Sequence, residues 1–168
     1  MRLTDIAGQV IELEVAGYQF PDDASTRAAR ERARRAGITG TVVGRDKHDD
    51  NWLMIRGRVE TPKGAWDFLD PSLETWEARE LARWFQAASS GLPCGPINFT
   101  EPNIAFKSAT PEPDPGRMRL VANFALESRP PWTERDDFDE LIEFVFTKEE
   151  LRAGANSFAE NLDRFPER

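Results

Sequence analysis

Apolar and polar residues alternate from Gln9 to Val15, with Ile11, Leu13 and Val15 set against Glu12 and Glu14. That period of two is the mark of a half-buried strand. Gly17-Tyr18-Gln19-Phe20-Pro21 ends it. Asn51 to Glu60 is the next predicted strand, with Trp52 and Met54 on one face and Leu53, Ile55 and Val59 on the other. Thr61-Pro62-Lys63-Gly64 places Pro and Gly where a type I turn prefers them, so Trp66 to Leu69 returns antiparallel as a hairpin. Ile97 to Thr100 and Asn103 to Lys107 read as short strand pieces separated by the kink at Glu101-Pro102. Met118 to Leu126 has the clearest alternation in the chain, and Leu141 to Phe146 is the last strand expected.

Two segments switch to helical spacing. Asp70 and Pro71 form the favoured N-cap and first-turn pair, predicting a helix that runs to about Ala88 and closes at Gly91-Leu92-Pro93. Its apolar face is expected to hold Leu73, Trp76, Leu81, Trp84 and Ala88. Thr147 opens the second helix in a capping box with Glu150, with Phe146 and Leu151 placed as a hydrophobic staple. Leu151, Ala155, Phe158 and Leu162 then form one stripe, and Phe165-Pro166 ends it. The fold expected is α+β: one domain over residues 1–168, mainly an antiparallel sheet of about six or seven strands with two main helices packed on it. Residues 22–50 interrupt this texture. Acidic pairs Asp22-Asp23 and Asp49-Asp50 flank Arg27, Arg30, Arg32, Arg34 and Arg35, suggesting a short basic helix in a surface insertion or mobile arm. Such a stretch is either a solvated helix laced with Arg–Glu pairs or a basic face for a partner.

Composition narrows the function. With 39% hydrophobic and 31% charged residues the chain reads as globular, and its five Trp and eleven Phe predict an aromatic core. A net charge of -8 disfavours nucleic-acid binding and suits a basic protein partner. The one cysteine, Cys94, allows no internal disulfide and points to a reducing compartment. Met1 to Asp5 opens no apolar run of the length a signal peptide or membrane span needs, so a cytoplasmic location is expected.

No catalytic, cofactor-binding or metal-binding set emerges. The sole histidine, His48, lies in the polar stretch Arg45 to Asp50, read as a solvated loop. Cys94 has no basic neighbour to activate it, and one Cys with one His cannot complete a zinc site. Carboxylates remain. Glu77 and Glu80 project onto the apolar face of the first helix, where a charge is costly unless paired. Arg56 and Arg58 are available as partners, and Glu101 and Glu127 at strand ends can join a cluster. These buried acids either clamp loops to the helix or form an acid/base or ligand site.

The ordered set Gly17-Tyr18-Gln19-Phe20-Pro21, Asn51-Trp52-Leu53, Trp66-Asp67-Phe68 and Asp70-Pro71-Ser72-Leu73 resembles the WapI family of immunity proteins. The likeness continues through Thr75-Trp76-Glu77, Leu81, Trp84, Phe99-Thr100-Glu101-Pro102-Asn103, Glu127 with Pro130-Pro131, and Phe165-Pro166. Residues 22–50 depart from it, being longer and more basic. The resemblance implies a cytoplasmic protein that neutralises the C-terminal toxin domain of a secreted wall-associated or contact-dependent inhibition protein, in the founding case similar to a tRNA-cleaving RNase. It implies no catalytic residues, and most of the matching positions look like fold determinants. Two acidic groups are candidates for meeting a basic toxin: Glu134, Asp136, Asp137, Asp139 and Glu140, and the pairs Asp22, Asp23, Asp49 and Asp50. The competing expectation is a small-ligand protein or enzyme using Glu77, Glu80, Glu101 and Glu127.

Overall fold

Among the described residues seven strands form, but they divide between two antiparallel sheets. The first sheet has the order β1 (Arg2–Thr4), β2 (Val10–Tyr18), β3 (Trp52–Thr61) and β4 (Gly64–Glu74). The second has the order β5 (Ile104–Ser108), β6 (Arg117–Ala125) and β7 (Asp139–Thr147). A five-residue helix α1 (Lys47–Asn51) precedes β3, α2 (Thr75–Ser89) follows β4, and α3 (Lys148–Leu162) follows β7. The computed structural model describes residues 1–20, 28, 31, 32, 35–37, 47–92, 94–109, 113–133 and 139–168. Most of the 22–50 insertion therefore lies outside the described residues. Within it, Glu31 and Arg35 form an i,i+4 ion pair at 3.0 Å.

The alternation read from the sequence sets the strand faces. Ile11, Leu13, Val15, Leu53, Ile55 and Val59 are all buried, while Arg2, Glu12, Glu14, Arg56, Arg58 and Asp67 line the outer face of the first sheet. There Arg2 pairs with Glu12 at 2.8 Å, Arg56 with Glu14 at 3.4 Å, and Arg58 with Glu60 and Asp67 at 2.8 and 3.1 Å. Arg56 and Arg58 thus serve the outer face, not the helix acids. Each such exposed pair stabilises by about 0–1 kcal/mol.

The inner faces share one core. Trp66 of β4 meets Phe124 of β6 edge-on at 5.4 Å, and Phe68 tilts against the same Phe124 at 6.0 Å, so aromatic contacts join the sheets. Phe85 of α2 packs on Phe106 of β5 at 5.2 Å. In α3, Leu151, Ala155, Phe158 and Leu162 are buried as the stripe predicts, and the Thr147 hydroxyl accepts from the Glu150 N–H at 3.1 Å. Glu150 itself turns to β1, where its carboxylate accepts from the Thr4 N–H at 2.8 Å. Asp5, also buried, accepts from the Ala7 and Gln9 N–H groups at 2.8 Å and ties the β1–β2 turn down.

Three readings differ from the expectation, the first being Ile97 to Thr100, which makes only an isolated bridge from Ile97 to Phe106 and no strand. Asp70 and Pro71 belong to β4, at a register shift opposite Leu53 and Met54, and α2 begins four residues later. A bulged edge position tolerates Pro, which has no N–H to lose. The stretch around His48, expected as a loop, ends in α1.

Gly57 faces Phe68 across β3 and β4, and a Cβ built there would stand 2.0 Å from the ring. Gly57→Ala is therefore expected to destabilise the fold by about 1–3 kcal/mol through overpacking. Urea unfolding checks this, and an unchanged midpoint would count against the close ring-on-backbone contact.

Candidate functional site

Because α2 starts at Thr75, Glu77 is not in the middle of an apolar helix face but in the first turn. Its carboxylate accepts from the Glu74 N–H at 2.9 Å in a capping box. The other oxygen accepts from the N–H and hydroxyl of Thr100 at 2.7 and 2.8 Å. Glu77 is 8% exposed, and a negative charge there also complements the positive end of the helix dipole. It is a clamp between the helix start and the loop before β5. Glu74, which the pattern did not single out, is buried beside it at 2% exposure.

The other three expected buried acids do not join Glu77. Glu80 is exposed on α2, one residue past the buried arc formed by Glu77, Ala78, Leu81, Ala82, Phe85 and Ala88. Glu127 is exposed on the 3-10 turn Leu126–Ser128, and Glu101 is half-buried. The projection failed because it counted Leu73 and Trp76 into the apolar face, whereas Leu73 belongs to β4, Trp76 is only half-buried, and the buried arc includes Phe85.

A different acidic group assembles instead, from Asp70, Glu101 and Glu127. Burial is the main cause raising the Asp70 carboxyl above its ordinary value, the negative charge of Glu127 adds to it, and donation from Asn103 opposes both. Burial also raises the Glu101 carboxyl, followed by repulsion from Asp70 and Glu127. Asn103 is fully buried and donates its amide to Asp70 Oδ2 at 2.8 Å and to Ser72 Oγ at 2.9 Å. Among the described residues its own Oδ1 has no hydrogen-bond partner. Three separate segments thus converge: the end of β4, the loop before β5 and the turn after β6. The sequence hid Asp70 because an Asp-Pro pair reads so readily as a helix start.

Of the acidic candidates for a partner surface, Asp22, Asp23, Glu134, Asp136 and Asp137 lie outside the described residues. Asp139 opens β7 opposite Ala125. Glu140 is held by Lys63 of the β3–β4 hairpin at 2.7 Å. Asp49 and Asp50 are half-buried in α1 and already engaged by other groups. Cys94 is half-buried, and burial pushes its thiol above the ordinary value, which keeps it protonated and unreactive at neutral pH. Among the described residues no cluster of His, Cys, Asp or Glu has the arrangement to hold a metal ion, and no helix is long and apolar enough to cross a membrane.

Comparison with protein families gives a match to the immunity protein WapI-like family over residues 2–166. The chain belongs to the WapI-like immunity family. No curated protein and no solved structure matches it. The family match spans both sheets and all three helices, so the resemblance carried by scattered motifs extends over nearly the whole WapI-like chain. It also spans Glu77, Glu101 and Glu127, whose surroundings in this WapI-like protein are unlike one another.

Two substitutions separate those surroundings. Glu77→Gln removes the charge from three hydrogen bonds and is expected to cost about 2–3 kcal/mol, read as a lower urea midpoint. Glu101→Gln is expected to act in the opposite direction. A carboxyl whose folded pKa is raised contributes stability below its unfolded value and loses it as pH rises through the folded value. Relative to the wild type, Glu101→Gln should therefore raise the melting temperature at pH 7, with the gain shrinking as pH falls through the raised folded value and gone below 4.5, the ordinary value for Glu. A melting profile from pH 3 to 8 that shows a loss at neutral pH would contradict the repulsion.

Proposed function

We propose that this WapI-like chain is a cytoplasmic immunity protein that binds and neutralises the C-terminal toxin domain of a secreted polymorphic toxin. The family match over residues 2–166 carries this reading. Inhibition proceeds by occupying the toxin, without chemistry on it. The geometry favours binding over catalysis. Glu77, the most buried of the acids first considered, spends both oxygens on backbone and hydroxyl donors, and Glu80 points to solvent. The grooves found around exposed Leu141, about 160 and 290 Å³, are lined by residues such as Ala105, Val121, Asn123 and Trp132 and not by Glu77, Glu80, Glu101 or Glu127.

A nuclease toxin, such as a tRNA-cleaving domain, presents a positive groove to its substrate. A protein of net charge -8 can steer into that groove and compete with phosphate. The test is co-expression with the C-terminal domain of the protein encoded immediately upstream of this chain's gene. The expected outcome is a co-purifying complex and survival of cells that die when the toxin domain is expressed alone. Cell death unaltered by this chain, with no complex recovered, would remove the immunity reading.

A further inference from the structure

We propose that the open stretch of the β7 edge, from Leu141 to Glu143, receives an extended strand of the bound toxin domain, which joins the second sheet beside β7. The proposal rests on the immunity reading and names the surface through which it operates. In an antiparallel strand both backbone groups of a residue point to one side, and the side alternates from one residue to the next. Bonds already made therefore fix which residues of β7 face outward. The Val145 carbonyl accepts from the Ile6 N–H at 2.9 Å, and the Glu143 carbonyl accepts from the Gln9 side-chain amide at 3.0 Å. Both donors belong to the β1–β2 turn and lie on the side of β7 away from β6. The register with β6 runs without a shift from Thr147 to Asp139, so Leu141 also turns its N–H and C=O outward. Among the described residues the Leu141 N–H and C=O and the Glu143 N–H meet no partner.

The rest of this sheet's perimeter is covered by the chain itself. On the opposite edge Ile97 exchanges two backbone bonds with Phe106 of β5, at 2.8 and 3.1 Å. On β7 the β1–β2 turn supplies the cover from Glu143 onward and stops there. Where it stops, Leu141 is 60% exposed, more than any other large apolar residue described. A groove of about 290 Å³ follows this stretch, bounded by Gln9, by Thr61, Pro62 and Lys63 of the hairpin tip, and by Trp132. A second, of about 160 Å³, continues past Leu141 to Val121 and Asn123. An edge of this kind pairs with an extended segment, whose main chain completes the hydrogen bonds while alternate side chains enter the grooves. Charge selects the segment. Asp139 to Glu143 holds three acids in five residues. Glu143 binds Arg119 through Oε2 only, and its side chain is 61% exposed, so Oε1 remains open to another cation. A second copy of this chain would bring those acids against themselves, on molecules that each carry a charge of -8. A toxin strand with an apolar residue opposite Leu141 and basic residues on either side of it fits instead.

The experiment follows amide hydrogen exchange residue by residue in the wild-type protein, free and bound to the C-terminal domain of the protein encoded immediately upstream. In the free protein the Leu141 and Glu143 amides should exchange at least about a hundredfold faster than those of Ile142 and Phe144, which face β6. Binding should slow the first pair at least about tenfold. A Leu141 amide already protected in the free protein, or still unprotected in the complex, overturns the proposal. So does protection that rises with the concentration of the free protein, because a second copy would then fill the edge. Two variants add an affinity measurement: Leu141→Pro removes one outward N–H and no bond to β6, whereas Leu141→Ala keeps the N–H and loses the side chain. At similar melting temperatures the proline variant should bind at least about tenfold more weakly than the alanine variant. Equal affinities overturn the strand pairing, and if the proline variant does not fold, the exchange data decide alone. Failure of the wild type to bind the upstream-encoded domain would sink the immunity reading. The edge is then decided by titrating a blocked peptide, Thr-Lys-Thr-Val-Thr-Lys-Thr, into the free protein. Amide shifts centred on Leu141 and Glu143 support the open edge, and their absence overturns it.

Discussion

The Glu77 carboxylate joins the start of α2 to the loop that leads into β5. Its two oxygens bind the start of α2 on one side and Thr100 on the other, across 23 positions of sequence. A helix start leaves N–H groups unsatisfied, and a loop before a strand does the same. One ionised side chain satisfies donors from both. Fixing Thr100 also fixes the residues next in the chain. Glu101 is its immediate neighbour, and Asn103, two further on, reaches Asp70 and Ser72 of β4 with its side chain while its carbonyl accepts from the Ala125 N–H at 2.8 Å. The acidic cluster is therefore placed by a carboxylate that is not part of it.

This division explains which features could be read from the residues. Period-2 alternation located β2, β3 and β6 because one face of each is dry and the other wet, and that contrast is written into Ile11, Leu13 and Val15 as plainly as into Leu120, Ala122 and Phe124. The stripe of α3 was legible for the same reason. β1 was not, since three residues cannot display a period. The start of α2 was misread because local preference favoured Asp70-Pro71, while tertiary contacts pulled Asp70 into β4 and left the weaker Glu74-Thr75-Trp76-Glu77 signal to begin the helix. A four-residue error in the start rotates the inferred buried face, and with it the inward acids. Glu77 remained inside because of its capping role, and Glu80 swung out to solvent. The division into two sheets was equally illegible, because nothing local distinguishes a strand that joins the first sheet from one that faces it across Trp66 and Phe124.

The electrostatics follow a similar logic. The outer face of the first sheet carries many charges yet presents little net field, because Arg2, Arg56 and Arg58 neutralise Glu12, Glu14, Glu60 and Asp67 in place. A face of that kind is well solvated and pairs poorly with a charged partner, since each of its ions would first have to leave a neighbour. The excess of negative charge then lies elsewhere, and Asp70, Glu101 and Glu127 account for part of it. Long-range steering depends on such uncompensated charge, not on the number of acids.

Stability and recognition thus make opposite demands on the same residue type. A carboxylate that must hold a loop is best buried with its donors, as Glu77 is, and loses by being available to anything else. A carboxylate that must capture a cation from a partner is best left half-solvated and short of donors, and the free protein is less stable for it. Thr100 is fixed by a carboxylate of the first kind, while its neighbour Glu101 is half-buried with its carboxyl raised above the ordinary value by burial. A charge kept unpaired relaxes by swinging into water unless its backbone is held, and beside Glu101 the backbone is held by the Glu77 clamp on Thr100.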